Sequence, residues 1–236
     1  MPIGYLVTVA FVALPTVFAL APIRRPRSLA LLSWGLGLVI NELPFLAFYW
    51  LLAATLLAFG QGDIDSAGGW VMFSLAVLTS VGLGVIAWRG WRARPAVAQA
   101  MSEGLGAGWR NELHPQLATR LRHHLPWLQI LFLPILFRRH DVERLRNIPY
   151  GDAGRWTFLI STAHAPAHQA GRRWSIYTAA EAQRLRSRST EPVVYTELPG
   201  GQHSFDLYHS TRFETVVDGI EAFAAWVISR PNMTNP

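Results

Sequence analysis

Three apolar runs dominate the first third of the chain. Ile3 to Ala21 carries no charged residue and has about the length, roughly 20 residues, that a bilayer crossing requires. Pro15 interrupts this run, which a membrane helix tolerates. No basic stretch precedes it and Arg24-Arg25-Pro26-Arg27 makes a poor cleavage site, so it reads as a span rather than a secretory signal. Gly69 to Trp88 is equally free of charge and is followed at once by Arg89, Arg92 and Arg94. Leu29 to Phe59 is too long for one straight helix: its 31 residues at about 1.5 Å each reach roughly 46 Å, against a hydrocarbon core of about 30 Å. Asn41-Glu42-Leu43-Pro44 breaks it, which predicts one crossing from about Pro44 to Phe59 preceded by a re-entrant or kinked portion.

The pattern then changes. Leu125 to Phe137 is apolar but too short to span, and His123, His124, Arg138, Arg139 and His140 flank it. That combination fits either a segment lying on the membrane surface or a buried helix of the soluble part. Pro192 to Glu197 reads as a short strand. Phe213, Val216, Val217, Ile220, Phe223, Ala224 and Val227 recur at three- and four-residue intervals, the signature of a helix covering a sheet with one face. The organisation that follows is a transmembrane region over 1–88, a basic, amphipathic or interfacial connector over 89–150, and a small α/β portion over 151–236.

Composition supports two solvents within one chain. Residues classed as hydrophobic make up 51% and charged residues only 15%, with most of the arginine after Trp88, which favours a membrane protein over a cytosolic one. The net charge of +6 has no nucleic-acid motif beside it, so the arginines are expected at anionic headgroups, with the lipid bilayer as partner and no nucleic acid. The absence of cysteine excludes a disulfide framework and thiolate metal sites. His123-His124 and the pair His164 and His168 have no carboxylate close in sequence, and Pro166 divides the second pair, so neither metal nor cofactor is expected.

Arg24, Arg25 and Arg27 follow the first span, Arg89, Arg92 and Arg94 follow the last, and the loop 61–68 holds only Asp63 and Asp65. Both basic clusters fall on one side of a membrane if the spans number three, which places the N-terminus outside and the C-terminal portion in the cytoplasm. Glu42 reads either as a functional carboxylate within the membrane or as an interfacial one beside the proline kink. No second acidic residue lies in the spans to serve it as a proton-relay partner.

The segment Pro192-Val-Val-Tyr-Thr-Glu-Leu198-Pro-Gly-Gly201-Gln-His203-Ser-Phe-Asp206, preceded by the helical stretch from Ala179 and followed by the helix from Phe213, resembles the histidine end of membrane-anchored bacterial α/β-hydrolases of the esterase and lipase type. Asp141 to Asp152 resembles the entry into such a domain. The resemblance implies three transmembrane helices followed by a reduced α/β portion like the C-terminal part of an α/β-hydrolase. It implies ester hydrolysis on a lipid-like substrate, with His203 as general base on a turn that Gly200 and Gly201 permit. Two departures stand against activity. Nowhere in the chain is there a Gly-x-Ser-x-Gly elbow or a His-Gly-Gly-type oxyanion loop. No aspartate lies between Asp152 and Asp206, and after Phe158-Leu-Ile-Ser161 the glutamates Glu181 and Glu191 are available only in the following helix and at its end.

The nucleophile and the triad acid are therefore unassigned. Ser161, Ser175, Ser187, Ser189 and Ser204 lie outside any glycine elbow, and Asp206 serves better as a brace of the loop. The expected function is that of an esterase-lineage membrane protein impaired as a catalyst. The alternative is an inactive, truncated hydrolase acting as a membrane protein or interaction module with an unknown protein partner.

Overall fold

The computed structural model describes residues 3–23, 25–135, 157–162, 179–189, 192–202 and 205–230. Two apolar helices, α1 (Ile3–Leu20) and α4 (Ala67–Trp91), are long and apolar enough to cross a membrane. A bent pair, α2 (Arg27–Glu42) and α3 (Pro44–Gly60), supplies a third span if counted as one, with an angle of 86° at the break. The break falls where the sequence places it. Pro44 has no N–H to continue α2 yet suits the first position of α3.

The helices are apolar on both sides, as a lipid solvent requires. Tyr5, Val9, Val12 and Ala19 of α1 face inward, while Ile3, Val7, Phe11, Leu14 and Val17 face outward. On α4 the buried residues Ala76, Thr79, Gly82, Leu83 and Ile86 form one stripe. Small residues set the close approaches. A Cβ on Gly82 would lie 3.0 Å from Thr16 of α1, and one on Gly37 of α2 would lie 3.2 Å from the Ala19 backbone, whereas Gly84 faces open space. Ser66 caps α4 by accepting from the Gly69 N–H at 3.1 Å.

The Tyr5 hydroxyl at the start of α1 bonds Thr55 near the end of α3 at 3.2 Å, and Phe59 of α3 packs on Phe73 of α4 at 5.3 Å. At the opposite end Arg89 donates to the Leu20 carbonyl at 3.3 Å. The ends of α1 and α4 that carry the arginine clusters therefore lie together.

Beyond Trp91 the helical path continues as α5 (Ala93–Leu105), followed by the short helices α6 (Pro115–Ala118) and α7 (Trp127–Phe132). Strands β1 (Thr157–Thr162) and β2 (Val193–Leu198) pair in parallel, in register from Thr157 with Val193 to Thr162 with Leu198. Helix α8 (Ala179–Arg188) lies between them in sequence, and α9 (Thr211–Ser229) closes the unit. Among the described residues these two strands are the whole sheet, and no α/β-hydrolase fold is present.

A second core joins α5, β2 and α9 through Val97, Met101, Val194, Leu198, Val216, Phe223 and Trp226. Helix α5, part of the basic connector in the sequence reading, thus packs against the sheet. The inward face of α9 is turned from its expected position: Trp226 is 1% exposed, whereas Ile220 is 44% exposed. The turn brings polar residues of the first α9 turn inward and lets Trp226 Nε1 donate to Glu112 at 2.8 Å.

Candidate functional site

The polar centre of the molecule lies where the α2–α3 break meets the loop after β2 and the first turn of α9. A helix C-terminus leaves carbonyl groups without intrahelical partners. At the end of α2 the Leu43 N–H closes on Val39, and the Asn41 carbonyl is taken by Arg212 Nη1 of α9 at 2.8 Å. The same Nη1 lies 3.4 Å from Glu42 Oε1, and Arg212 Nε donates to the Pro199 carbonyl at 3.1 Å. One guanidinium thus caps a helix of the apolar bundle, meets a carboxylate and holds the Pro199 turn. Its planar array of donors suits that work better than an ammonium would.

Asn41 forms the second tie. Its amide donates to Glu42 Oε1 at 2.7 Å and to the Gly200 carbonyl at 3.0 Å. Gly200 has φ +65°, and a Cβ there would sit 3.2 Å from Arg212 Nη2, so both backbone and space favour glycine. The side chains of Arg212 and Glu42 are 1% and 0% exposed. Burial draws Arg212 below its ordinary value and the Arg89 cation adds to this, while Glu42 opposes both. The guanidinium still stays charged at any working pH. Among the described residues, three buried atoms of this seam, Glu42 Oε2, Arg212 Nη2 and Gln202 Oε1, have no hydrogen-bond partner. Each such atom costs about 1–3 kcal/mol, so the seam fixes the relative position of its elements more than it adds stability.

A second cluster stands at the start of α9. Ser210 caps the helix by accepting from the Phe213 N–H at 3.1 Å. His209 Nδ1 meets Glu214 Oε1, and Arg122 Nη1 donates to Glu214 Oε2 at 3.0 Å. Arg122 Nη2 also lies 2.9 Å from Asp218 Oδ1, an ion contact off the line of a hydrogen bond. Burial raises the Asp218 carboxyl; Arg122 opposes this, and Glu221 and Glu214 add to it. Burial pulls Arg122 down, but the carboxylates of Asp218 and Glu214 outweigh it and hold the guanidinium above its ordinary value.

His203, the expected general base, lies outside the described residues, as do Ser175, Ser204, Glu191, His164 and His168. The turn that leads to His203 is described, and Gly201 and Gln202 there are buried. Asp206 is exposed on a short 3-10 turn. Ser161 belongs to β1, and Ser187 is exposed on α8, where it donates to Arg184. Neither occupies a strand-to-helix turn. His123 and His124 are exposed, and among the described residues no group of three metal-ligating side chains forms.

Sequence reasoning missed Arg212 and the pairing of His209 with Glu214. A carboxylate holding one imidazole nitrogen is the base-orienting half of a catalytic triad. The sequence signal available for the second was the spacing His209-x4-Glu214 across a helix start; for the first there was none. Compared with protein-family models, characterised proteins and solved structures, the chain matches none.

Proposed function

We propose that this chain is a multi-pass membrane protein of esterase and lipase lineage whose α/β portion serves as a fixed module at the membrane face, without serine-hydrolase turnover. The carrying observation is the seam. The Pro199–Gly200 turn, which by resemblance presents the general base to substrate, is tied to the break between the apolar helices directly at the Gly200 carbonyl, through Asn41, and indirectly at the Pro199 carbonyl, through Arg212 of α9, which also holds the Asn41 carbonyl. A turn engaged in this way favours docking over an open catalytic mouth. The missing glycine elbow agrees, because a base without an activated nucleophile retains only binding and polarisation. The ligand class consistent with this placement is lipid-like, an apolar ester among them.

The runner-up reading, an active carboxylesterase with His203 as base, has its own support in the position of the turn beside the membrane helices. A fluorophosphonate probe separates the two. The purified chain is expected to remain unlabelled under conditions that label a known serine esterase. Covalent labelling that disappears in His203→Ala would replace the module reading with the enzymatic one.

In the proposed orientation the arginine-bearing ends of α1 and α4 and the C-terminal unit are cytoplasmic, with the N-terminus outside. The chain has no cysteine, so single introduced cysteines report cleanly. Gly62→Cys is expected to react with a membrane-impermeant maleimide on intact cells and Gly108→Cys only after permeabilisation. The reverse pattern inverts the topology.

A further inference from the structure

A groove of about 410 Å³ opens between the first turn of α3, the last turns of α4, α7 and the start of α9. Phe45, Ala87, Trp88, Trp91, Trp127 and Leu131 line it with almost wholly apolar surface, and Thr211 is its one polar side chain. We propose that this groove holds one acyl chain of an anionic phospholipid, with the lipid headgroup against Arg92.

Four observations converge on that occupant. The volume lies within the roughly 300–1,000 Å³ typical of pockets for small ligands. The walls are stiff: the rings of Trp91 and Trp127 stack at 5.4 Å, and Tyr49 of α3 stacks on Phe132 of α7 at 6.2 Å. The position fits a bilayer surface. Helix α4 has 25 residues, about 38 Å, so its last turns with Trp88 and Trp91 emerge from a core of about 30 Å at the level where aromatic belts lie. Leu128, Phe132, Leu133 and Ile135 extend the apolar surface outward from α7, so the groove opens onto a face suited to acyl chains rather than water.

The charge beside Trp88, one of the lining residues, selects the headgroup. The Arg92 guanidinium lies 5.1 Å from the centre of the Trp88 ring and is exposed, and among the described residues no carboxylate pairs with it. A cation laid across an interfacial aromatic, beside an apolar groove, matches a phosphate diester above an acyl chain. Arg89 is engaged with Leu20 and Arg94 with the His123 carbonyl, which leaves Arg92 to face the lipid.

The inference rests on the membrane placement above and not on hydrolysis. The full chain, purified in mild detergent, is titrated with palmitoyl-oleoyl-phosphatidylglycerol or palmitoyl-oleoyl-phosphatidylcholine and observed by native mass spectrometry. One phosphatidylglycerol per chain is expected, retained roughly five- to tenfold more strongly than phosphatidylcholine. Arg92→Gln removes that preference, and Ala87→Trp, which fills the groove, removes retention itself. Leu131→Trp fills it from the α7 side should Ala87→Trp fail to fold. Equal retention of both lipids, retention that survives the filling variants, or a dimer that they dissociate overturns the proposal. Alkaline carbonate extraction separates its failure from that of the membrane reading: release of the chain sinks both, whereas an integral chain without lipid preference sinks only the groove.

Discussion

Arg212→Met is expected to cost about 3–5 kcal/mol, because it leaves Glu42 buried with no cation beside it. The variant also strips the Asn41 and Pro199 carbonyls of their donor. For a chain of this size each kcal/mol moves a thermal midpoint by roughly 2–4 °C, so the shift in detergent should be about 10 °C. Glu42→Leu combined with Arg212→Met should recover a large part of the loss, since replacing both members of a buried pair with apolar residues is often neutral or better. If Arg212→Met melts with the wild type, the pair does not hold the two halves together. If the double variant is no better than the single one, the cost lies in the lost carbonyl bonds rather than in the stranded carboxylate.

Gly104→Leu is the second large effect. A Cβ at this position of α5 would lie 2.8 Å from the Val193 carbonyl oxygen and 3.1 Å from the Val194 Cα, both backbone atoms of β2. Backbone in a paired strand cannot step aside as a flexible side chain can, so α5 must lift from the sheet. Overpacking of this kind costs typically about 1–3 kcal/mol, and leucine adds three further carbons beyond the Cβ. Limited proteolysis should cleave the C-terminal unit faster in Gly104→Leu than in the wild type. Gly84→Leu, at a position facing open space, serves as the control and should match the wild type. Equal resistance of the two variants would mean that α5 is not seated on β2.

What was legible in the sequence follows from what each pattern encodes. Charge-free length located α1 and α4, and the Asn41-Glu42-Leu43-Pro44 interruption located the bend, because both signals are local. The order helix, strand, turn, helix near the C-terminus was readable for the same reason, to within a few residues at each boundary. Long-range pairing was not. Glu42 and Arg212 are 170 residues apart, and nothing in either neighbourhood names the other. No second acid lies in the spans beside Glu42; its partner is a cation in the helix expected to cover a sheet.

The rotation of α9 has a related cause. Its apolar periodicity is real, but Trp226 offers more surface to the core than Ile220, and the polar first turn is drawn to the seam. The role of α5 was hidden because Ala93, Val97, Ala100 and Met101 are small or unbranched residues amid arginine and glutamate. They read as a connector until β2 is placed beside them.

The C-terminal unit docks on the arginine-bearing ends of the apolar helices, with the start of α9 against the end of α4. A Cβ on Gly90 would lie 3.7 Å from the Thr211 Cβ, within the separation of about 3.5–4.5 Å that a disulfide spans. With no native cysteine to compete, Gly90→Cys/Thr211→Cys expressed in full and oxidised in membranes should close an intramolecular disulfide nearly completely. The read-out is protection of both thiols from maleimide until reductant is added. Both cysteines remaining free and reactive under oxidant, in a chain that is otherwise folded, would contradict the docked arrangement.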